Sequence, residues 1–271
     1  MIAFSPTRIR KGLTGLVLAL LVVVFAGAAC PAVSALDIFY FSPDSPQHNL
    51  GGLKREMETF LSRADFTANF QPFAHYVDFD QTVRAKRPPF LFLPAWYFRL
   101  YGEKLGLRPL LTPLCGGSST YRKVLLVRKG ATVNMAAISG RTLAMTTLGP
   151  DDERTLNAIL FFALKADARN LSIVTVPKDA DALFALALGH VDMALVGKQS
   201  MAVIGVLNPK ILQAVQPLAE SAPIPGPILC YAPDKVSAAT AERLKRVLQQ
   251  ADNGTNVLEI LQIDGWMAGG Q

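Results

Sequence analysis

The chain has 271 residues, of which 51% are hydrophobic and 18% charged. No low-complexity tract interrupts it, which argues against disorder, and the length suffices for one large or two medium α/β domains. Lys and Arg number 27 against 21 Asp and Glu, but Arg8, Arg10 and Lys11 lie in the amino-terminal segment and leave a balance of 24 to 21. No Lys/Arg cluster with interleaved aromatics occurs, which argues against a nucleic-acid partner.

The amino end reads as a secretory signal. A basic patch (Arg8, Arg10, Lys11) precedes the apolar run Leu13 to Ala29, and small residues follow. Val33-Ser34-Ala35 fits the small-x-small rule, so residues 1–35 are predicted to be cleaved and the protein to reach the periplasm. A retained anchor and lipidation at Cys30 are the alternatives, the first because the run approaches spanning length. Beyond the signal only Cys115 and Cys230 remain. An oxidising compartment permits a disulfide between them, and two free buried thiols are the other reading. Neither they nor His48, His75 and His190 have the spacing of a zinc site, and no cofactor is implied.

Leu36 to Phe41 reads as a buried strand, followed by a loop of turn formers, Ser42 to Pro46. Gly51 to Arg63 is predicted helical, with Leu53, Met57, Phe60 and Leu61 on one face. Thr67 to Phe73 is a strand, Asp80 to Ala85 a short helix, Pro89 to Leu93 a strand, Trp96 to Leu105 a helix and Arg108 to Leu114 a strand. A loop, Cys115 to Tyr121, leads to the apolar strand Lys123 to Val127 and a charged turn, Arg128-Lys129-Gly130. Gly140 launches the next strand, Thr142 to Met145. The same grammar then repeats. Asp152 to Leu164 is a helix, Ser172 to Val176 a strand, Asp179 to Leu188 a helix ended by Gly189, and Val191 to Val196 a strand. Ile211 to Val215 and the turn Ser221 to Pro227 precede a return strand, Ile228 to Tyr231, and Ala238 to Gln250 is a closing amphipathic helix. Alternating helices and apolar strands predict parallel sheets covered on both faces.

Several of these stretches resemble the substrate-binding proteins of ABC importers, in the phosphate/phosphonate-type branch. Tyr121, Lys123 to Val127, Arg128 and then Ala137 to Thr142 are similar to that family's crossing from first lobe to second: a Tyr, a strand, a basic turn and "DLKGK". The segment ALALGHVDMALVG is similar to its "aVlnGevDAg", SAPIPGP to its Ser-x-x-Ile-Pro turn, and VLEILQIDGW to its terminal "vL..lgidgF". The resemblance spans 36–271 and implies a two-lobed type II periplasmic-binding-protein fold of the α/β class. Each lobe is then a mostly parallel sheet flanked by helices, and two crossovers join them. Lobe one is expected to be 36–124 plus 228–271, and lobe two 125–227.

In open α/β sheets ligands bind beyond the carboxyl ends of strands, where helix amino ends favour anions. Four loops occupy such positions: Ser42 to Ser45, Pro94 to Tyr97, Thr146 to Asp152, and Gly197 to Ser200. They nominate Ser42, Ser45, Thr146 and Thr147 as hydroxyl donors, Trp96 and Tyr97 as walls, and Lys198 as a counter-charge, with Tyr121 beside them. Each has a plainer reading: capping or turn roles for Ser42 and Ser45, core packing for Trp96 and Tyr97, hinge bracing for Tyr121, solvation for Lys198. At the third loop the chain departs from the branch's serine cluster: Leu148-Gly149-Pro150-Asp151-Asp152 stands there. Two carboxylates would repel a phosphonate unless they cap the following helix. Gly116 to Ser119 lacks the Lys and spacing of a P-loop and reads as a hinge-side loop.

No G-x-S-x-G, H-E-x-x-H or G-x-G-x-x-G occurs, so an enzyme is not expected. The resemblance implies a monomeric receptor that captures a small anionic ligand by hinge closure and delivers it to an inner-membrane ABC permease. A sensor subunit for a membrane kinase is the alternative. A thiamine-precursor-synthase-like enzyme, with Cys115 as its only candidate nucleophile, is a remoter one.

Overall fold

Strands buried on both faces need helices on both faces, and the chain supplies them in alternation. The computed structural model describes Met1 and residues 35–44, 49–133, 135, 138–251 and 256–269. The predicted signal, apart from Met1 and Ala35, and with it Cys30, lies outside the described residues, as do Ser45 and His48. Among the described residues no helix is long and apolar enough to cross a membrane.

The first half runs β1 (Leu36–Tyr40), α1 (Leu50–Arg63), β2 (Ala68–Pro72), α2 (Tyr76–Lys86), β3 (Phe90–Leu93), α3 (Ala95–Tyr101) and β4 (Arg108–Leu114). Next come β5 (Thr120–Tyr121), β6 (Lys123–Arg128) and β7 (Thr142–Met145). They are followed by α4 (Asp152–Leu156), β8 (Ser172–Thr175), α5 (Asp179–Ala187) and β9 (Met193–Gly197). Then α6 (Lys198–Leu207), α7 (Pro209–Gln213), β10 (Val215–Glu220) and β11 (Ile224–Pro225) lead to β12 (Ile228–Tyr231), α8 (Ala238–Gln249), α9 (Asn256–Leu261) and β13 (Gly265–Ala268).

The strands form two sheets, ordered β13-β4-β12-β3-β1-β2 and β10-β6-β9-β7-β8. In the first, β1 to β4 point one way, and β12 and β13 run against them. In the second, only β6 is reversed. Both sheets are therefore mostly parallel, as expected of the two lobes. The short antiparallel pair β5–β11 lies where the chain leaves the first sheet and where it returns.

Period-two alternation sorts the core into four layers, one on each face of each sheet. Ile38, Tyr40, Phe90, Phe92 and Leu229 pack under α1, α8 and α9, whereas Phe39, Phe41, Leu91, Leu93 and Cys230 pack under α2 and α3. In the second sheet Leu125, Val127, Leu143 and Met145 meet α4, and Val124, Leu126, Ala144 and Val196 meet α5 and α6. The helices dock by their apolar stripes: α1 buries Leu53, Met57 and Leu61, and Asn49 caps it by accepting from the Gly52 amide at 2.8 Å. Ser237 caps α8 in the same way through the Thr240 amide.

The sheet geometry decides between the two cysteine readings: both thiols are free. Cys230 is fully buried in the layer under α2 and α3, while Cys115 packs from the opposite face of the same sheet.

Several segments differ from the sequence reading, which also left α9 and β13 unassigned. The helix expected over 152–164 is α-helical only to Leu156 and then widens into a π turn, Asn157–Phe161. The Phe162 amide bonds the Asn157 carbonyl at 3.0 Å, and the Ile159 carbonyl leaves the helix to accept from the Ala222 amide at 2.7 Å. The loop at 197–200 opens directly into α6, which the sequence reading lacked. The apolar run 211–215 is split between α7, which Pro209 initiates, and β10.

Candidate functional site

A cleft of about 630 Å³ lies beyond the carboxyl ends of β1, β3, β7 and β9. All four loops picked from the sequence reach it: Ser42 and Asp44 after β1, Ala95 and Trp96 after β3, Leu148 after β7, and Gly197 to Ser200 after β9. The crossing segments, with Tyr121, Arg122 and Ile224, form another wall. Trp96, Phe92, Pro113, Ile159, Ile224 and Leu261 make the lining largely apolar.

The polar centre of the cleft floor is a cluster built on a lysine that precedes the apolar run Val124 to Val127. Lys123 is the first residue of β6, and its side chain has no exposed surface. A buried ammonium must be neutralised. Asp44 pairs with it, Asp179 lies 3.1 Å from Nζ, and Nζ donates to Thr146 Oγ1 at 2.7 Å. Thr146 in turn donates to Asp44 Oδ1 at 2.7 Å, and Tyr121 Oη donates to Asp44 Oδ2 at 2.5 Å. Asp179 comes from the first turn of α5 and also accepts from the Gly197 amide at 2.8 Å. Gly197 sits opposite Lys123 in the β6–β9 ladder, and a Cβ there would meet Asp179 Oδ2 at 2.8 Å. The missing side chain is what lets the carboxylate close on the ammonium.

Two carboxyl groups share one ammonium at this floor. Burial alone would push the Lys123 ammonium down, but Asp179 and Asp44 more than offset it and hold its pKa above the usual lysine value. Burial pushes the Asp179 carboxyl up, Lys123 opposes that, and the Asp44 charge adds to it. The Tyr121 hydroxyl lies well above its ordinary value, through burial and then the neighbouring Asp44.

The remaining candidates fall into place around this cluster. Ser42, Trp96, Tyr121 and Lys198 line the cleft. Thr146 is fully buried beneath Asp44 and does not line it. Thr147 also stands back, its hydroxyl bonded to the Gly149 carbonyl at 3.1 Å. Tyr97 is corrected from wall to core: it is fully buried among Phe79, Tyr76 and Tyr101, and its hydroxyl donates to Asp80 at 2.8 Å. Lys198 reaches Glu220 at 3.2 Å on the rim and is mostly exposed. Asp151 caps α4 through the Arg154 amide, and Asp152 accepts from the Leu148 amide at 2.6 Å. Burial raises the Asp152 carboxyl, and the Leu148 amide bond opposes the shift. The two carboxylates thus serve the turn itself, as the capping reading expects.

Sequence reasoning missed Asp44, Lys123 and Asp179. The legible signal was a lysine opening the apolar run Val124 to Val127. It also missed Gln262, a cleft residue at φ 55°, whose backbone carbonyl accepts from Gln199 at 2.8 Å. Among the described residues no group of three His, Cys, Asp or Glu could hold a metal ion.

A family model described as "ABC transporter, phosphonate, periplasmic substrate-binding protein" matches residues 39–269. No curated protein matches the chain. Among solved structures, the chain is similar to a binding-protein component of an ABC phosphonate transporter from Pseudomonas aeruginosa. Identity is 14%, covering 86% of this chain and 81% of that one, with a TM-score of 0.70. It is similar to PhnD1 from Prochlorococcus marinus in complex with methylphosphonate, at 12% identity, 86% and 92% coverage and a TM-score of 0.68. A Xanthomonas citri protein bound to chloride follows, at 13% identity, 86% and 90% coverage and a TM-score of 0.63. At these identities the likeness establishes the fold, the two-lobed type II arrangement expected from the sequence.

Proposed function

The chain belongs to the periplasmic substrate-binding proteins of phosphonate ABC transporters, and from that premise we propose that its cleft captures a phosphonate carrying an apolar substituent. Family membership makes it a binding component rather than an enzyme and implies the periplasm. The observation that carries the ligand proposal is the convergence of four strand-end loops on one largely apolar cleft with a polar floor. Its volume falls within the roughly 300–1,000 Å³ of pockets for drug-sized ligands, far more than methylphosphonate fills. The ligand-contacting residues in this reading are Ser42, Trp96, Tyr121 and Ser200, with Thr146 and Lys123 behind them and Lys198 at the rim. Ser45 remains a proposed donor on its sequence alone, Thr147 would brace the turn that carries Leu148, and Tyr97 would support Trp96.

The moving bodies are 36–122 plus 228–271 and 123–227, with β5 and β11 as the hinge. The division falls two residues before the expected 124/125 because Lys123 and Val124 belong to β6 of the second sheet. Ligand bridging both lobes stabilises the closed form, which docks as a monomer on an inner-membrane permease. A thermal-shift series of phosphonates with growing apolar substituents tests the reading. At a hundredfold excess over Kd the native state gains about 2.7 kcal/mol, a rise in Tm of about 5–11 °C. No shift with any member of the series would remove the ligand class.

A further inference from the structure

Asp44 stands on a loop of the first sheet, yet its carboxylate is held by groups of the second sheet and the crossing strand. One oxygen takes Lys123 and Thr146, and the other takes Tyr121. Its backbone carbonyl accepts from Ser200 Oγ at 3.1 Å as well. An ammonium and two hydroxyls converging on one point are the donor chemistry that holds an oxyanion. Lys123 and Thr146 have no surface of their own, whereas the Asp44 side chain is 17% exposed and faces the cleft. The carboxylate covers the donors like a bound anion and joins the two lobes as a ligand would.

We infer that Asp44 is a specificity-determining residue: its carboxylate occupies the oxyanion seat at the cleft floor, so that a phosphonate head must displace it. The inference rests on the phosphonate reading above and deepens it. Asp44 and Asp179 already share Lys123, so an arriving anion must compete with a carboxyl group for that ammonium, whereas Arg99, Arg122 and Lys198 line the cleft away from the seat. Displacement leaves Lys123 paired with Asp179 alone and frees two hydroxyls. A bare oxyanion such as inorganic phosphate gains nothing further to offset that exchange. A phosphonate with an apolar substituent gains burial against Trp96, Phe92 and Ile224. Asp44 therefore acts as a filter against small free oxyanions.

Calorimetric titration of the protein with inorganic phosphate, methylphosphonate and benzylphosphonate tests this, beside Asp44→Ala and Asp44→Asn. Wild type is expected to prefer benzylphosphonate over phosphate at least tenfold. Asp44→Ala is expected to tighten phosphate at least tenfold and to narrow that preference. Asp44→Asn keeps the shape, loses the charge, and is expected to fall between the two. If Asp44→Ala does not fold, the gain in phosphate affinity on Asp44→Asn decides alone. Phosphate affinity unchanged or weakened in the variants, with benzylphosphonate still bound, would overturn the filter and leave the phosphonate reading standing. Failure of all three ligands on every variant would remove the phosphonate reading, and the filter with it.

Discussion

Replacing Lys123 with methionine keeps most of the stem volume and removes the ammonium from between Asp44 and Asp179. Asp179, in the first turn of α5, is 2% exposed, so without the ammonium its carboxyl group stays poorly solvated. Breaking a buried pair by deleting one partner costs about 3–5 kcal/mol. For a chain of this size that lowers Tm by roughly 6–20 °C. The loss should depend on pH in a definite direction. Without the ammonium, the folded variant neutralises Asp179 by taking up a proton that the unfolded chain, with a carboxyl near 3.9, does not bind at neutral pH. Stability of the variant therefore rises as pH falls, by up to about 1.36 kcal/mol per unit, or about 2.7 kcal/mol between pH 7 and 5. Urea unfolding of both proteins at pH 7 and 5 measures it. A variant within about 1 kcal/mol of wild type at pH 7, with the same difference at pH 5, would refute the view that this lysine neutralises a buried cluster.

Gly197→Ala sets a Cβ 2.8 Å from Asp179 Oδ2, so a loss of about 1–3 kcal/mol is expected, read by chemical denaturation; no loss would mean the carboxylate moves freely. Tyr121 and Lys123 both hold their protons more tightly folded than unfolded. Their stabilisation is whole below about pH 10 and is lost as pH climbs through their folded values. Unfolding free energy should fall between pH 10 and 11.5, less steeply in Tyr121→Phe, and equal slopes would contradict the assignment. Gly226→Ala drives a Cβ to 2.8 Å from the Ser119 carbonyl across the β5–β11 pair, so hinge strain should cost about 1–3 kcal/mol and change ligand affinity, which a titration would report. Cys115, half-buried at the cleft, should react with a thiol reagent in the native state and be shielded by bound ligand, whereas Cys230 should react only after unfolding; two native reactive thiols would contradict the sheet-face assignment.

The strands were legible because each is a short apolar run that only a doubly covered sheet explains. FLFL at β3 is buried at all four positions. The four ligand loops were legible for a related reason, since strand ends in such sheets are where helices start. Tyr97 went astray because an aromatic at a helix start serves wall and core alike, and one turn of rotation decides which. The lysine cluster was out of reach for a different reason. Lys123 meets Asp179 across 56 positions, and Thr146 meets Asp44 across 102. No local pattern specifies which distant carboxylate will neutralise a buried ammonium. The π turn was equally hidden: one of its carbonyls bonds the Ala222 amide of a distant segment, and no local pattern marks it.

That turn has a consequence for how the chain tolerates change in length. Between Asn157 and Phe161 the backbone carries one residue more than an α-helix would need for the same reach. Ile159 lines the cleft from this stretch, and its carbonyl, in the last turn where no helical partner is available, accepts from the Ala222 amide of the returning segment. Deleting a single residue there is expected to rotate Ile159 out of register with both the cleft and that amide. A wall of the cleft and a fastening of the hinge thus depend on the same extra residue, and a shortened chain would lose both together.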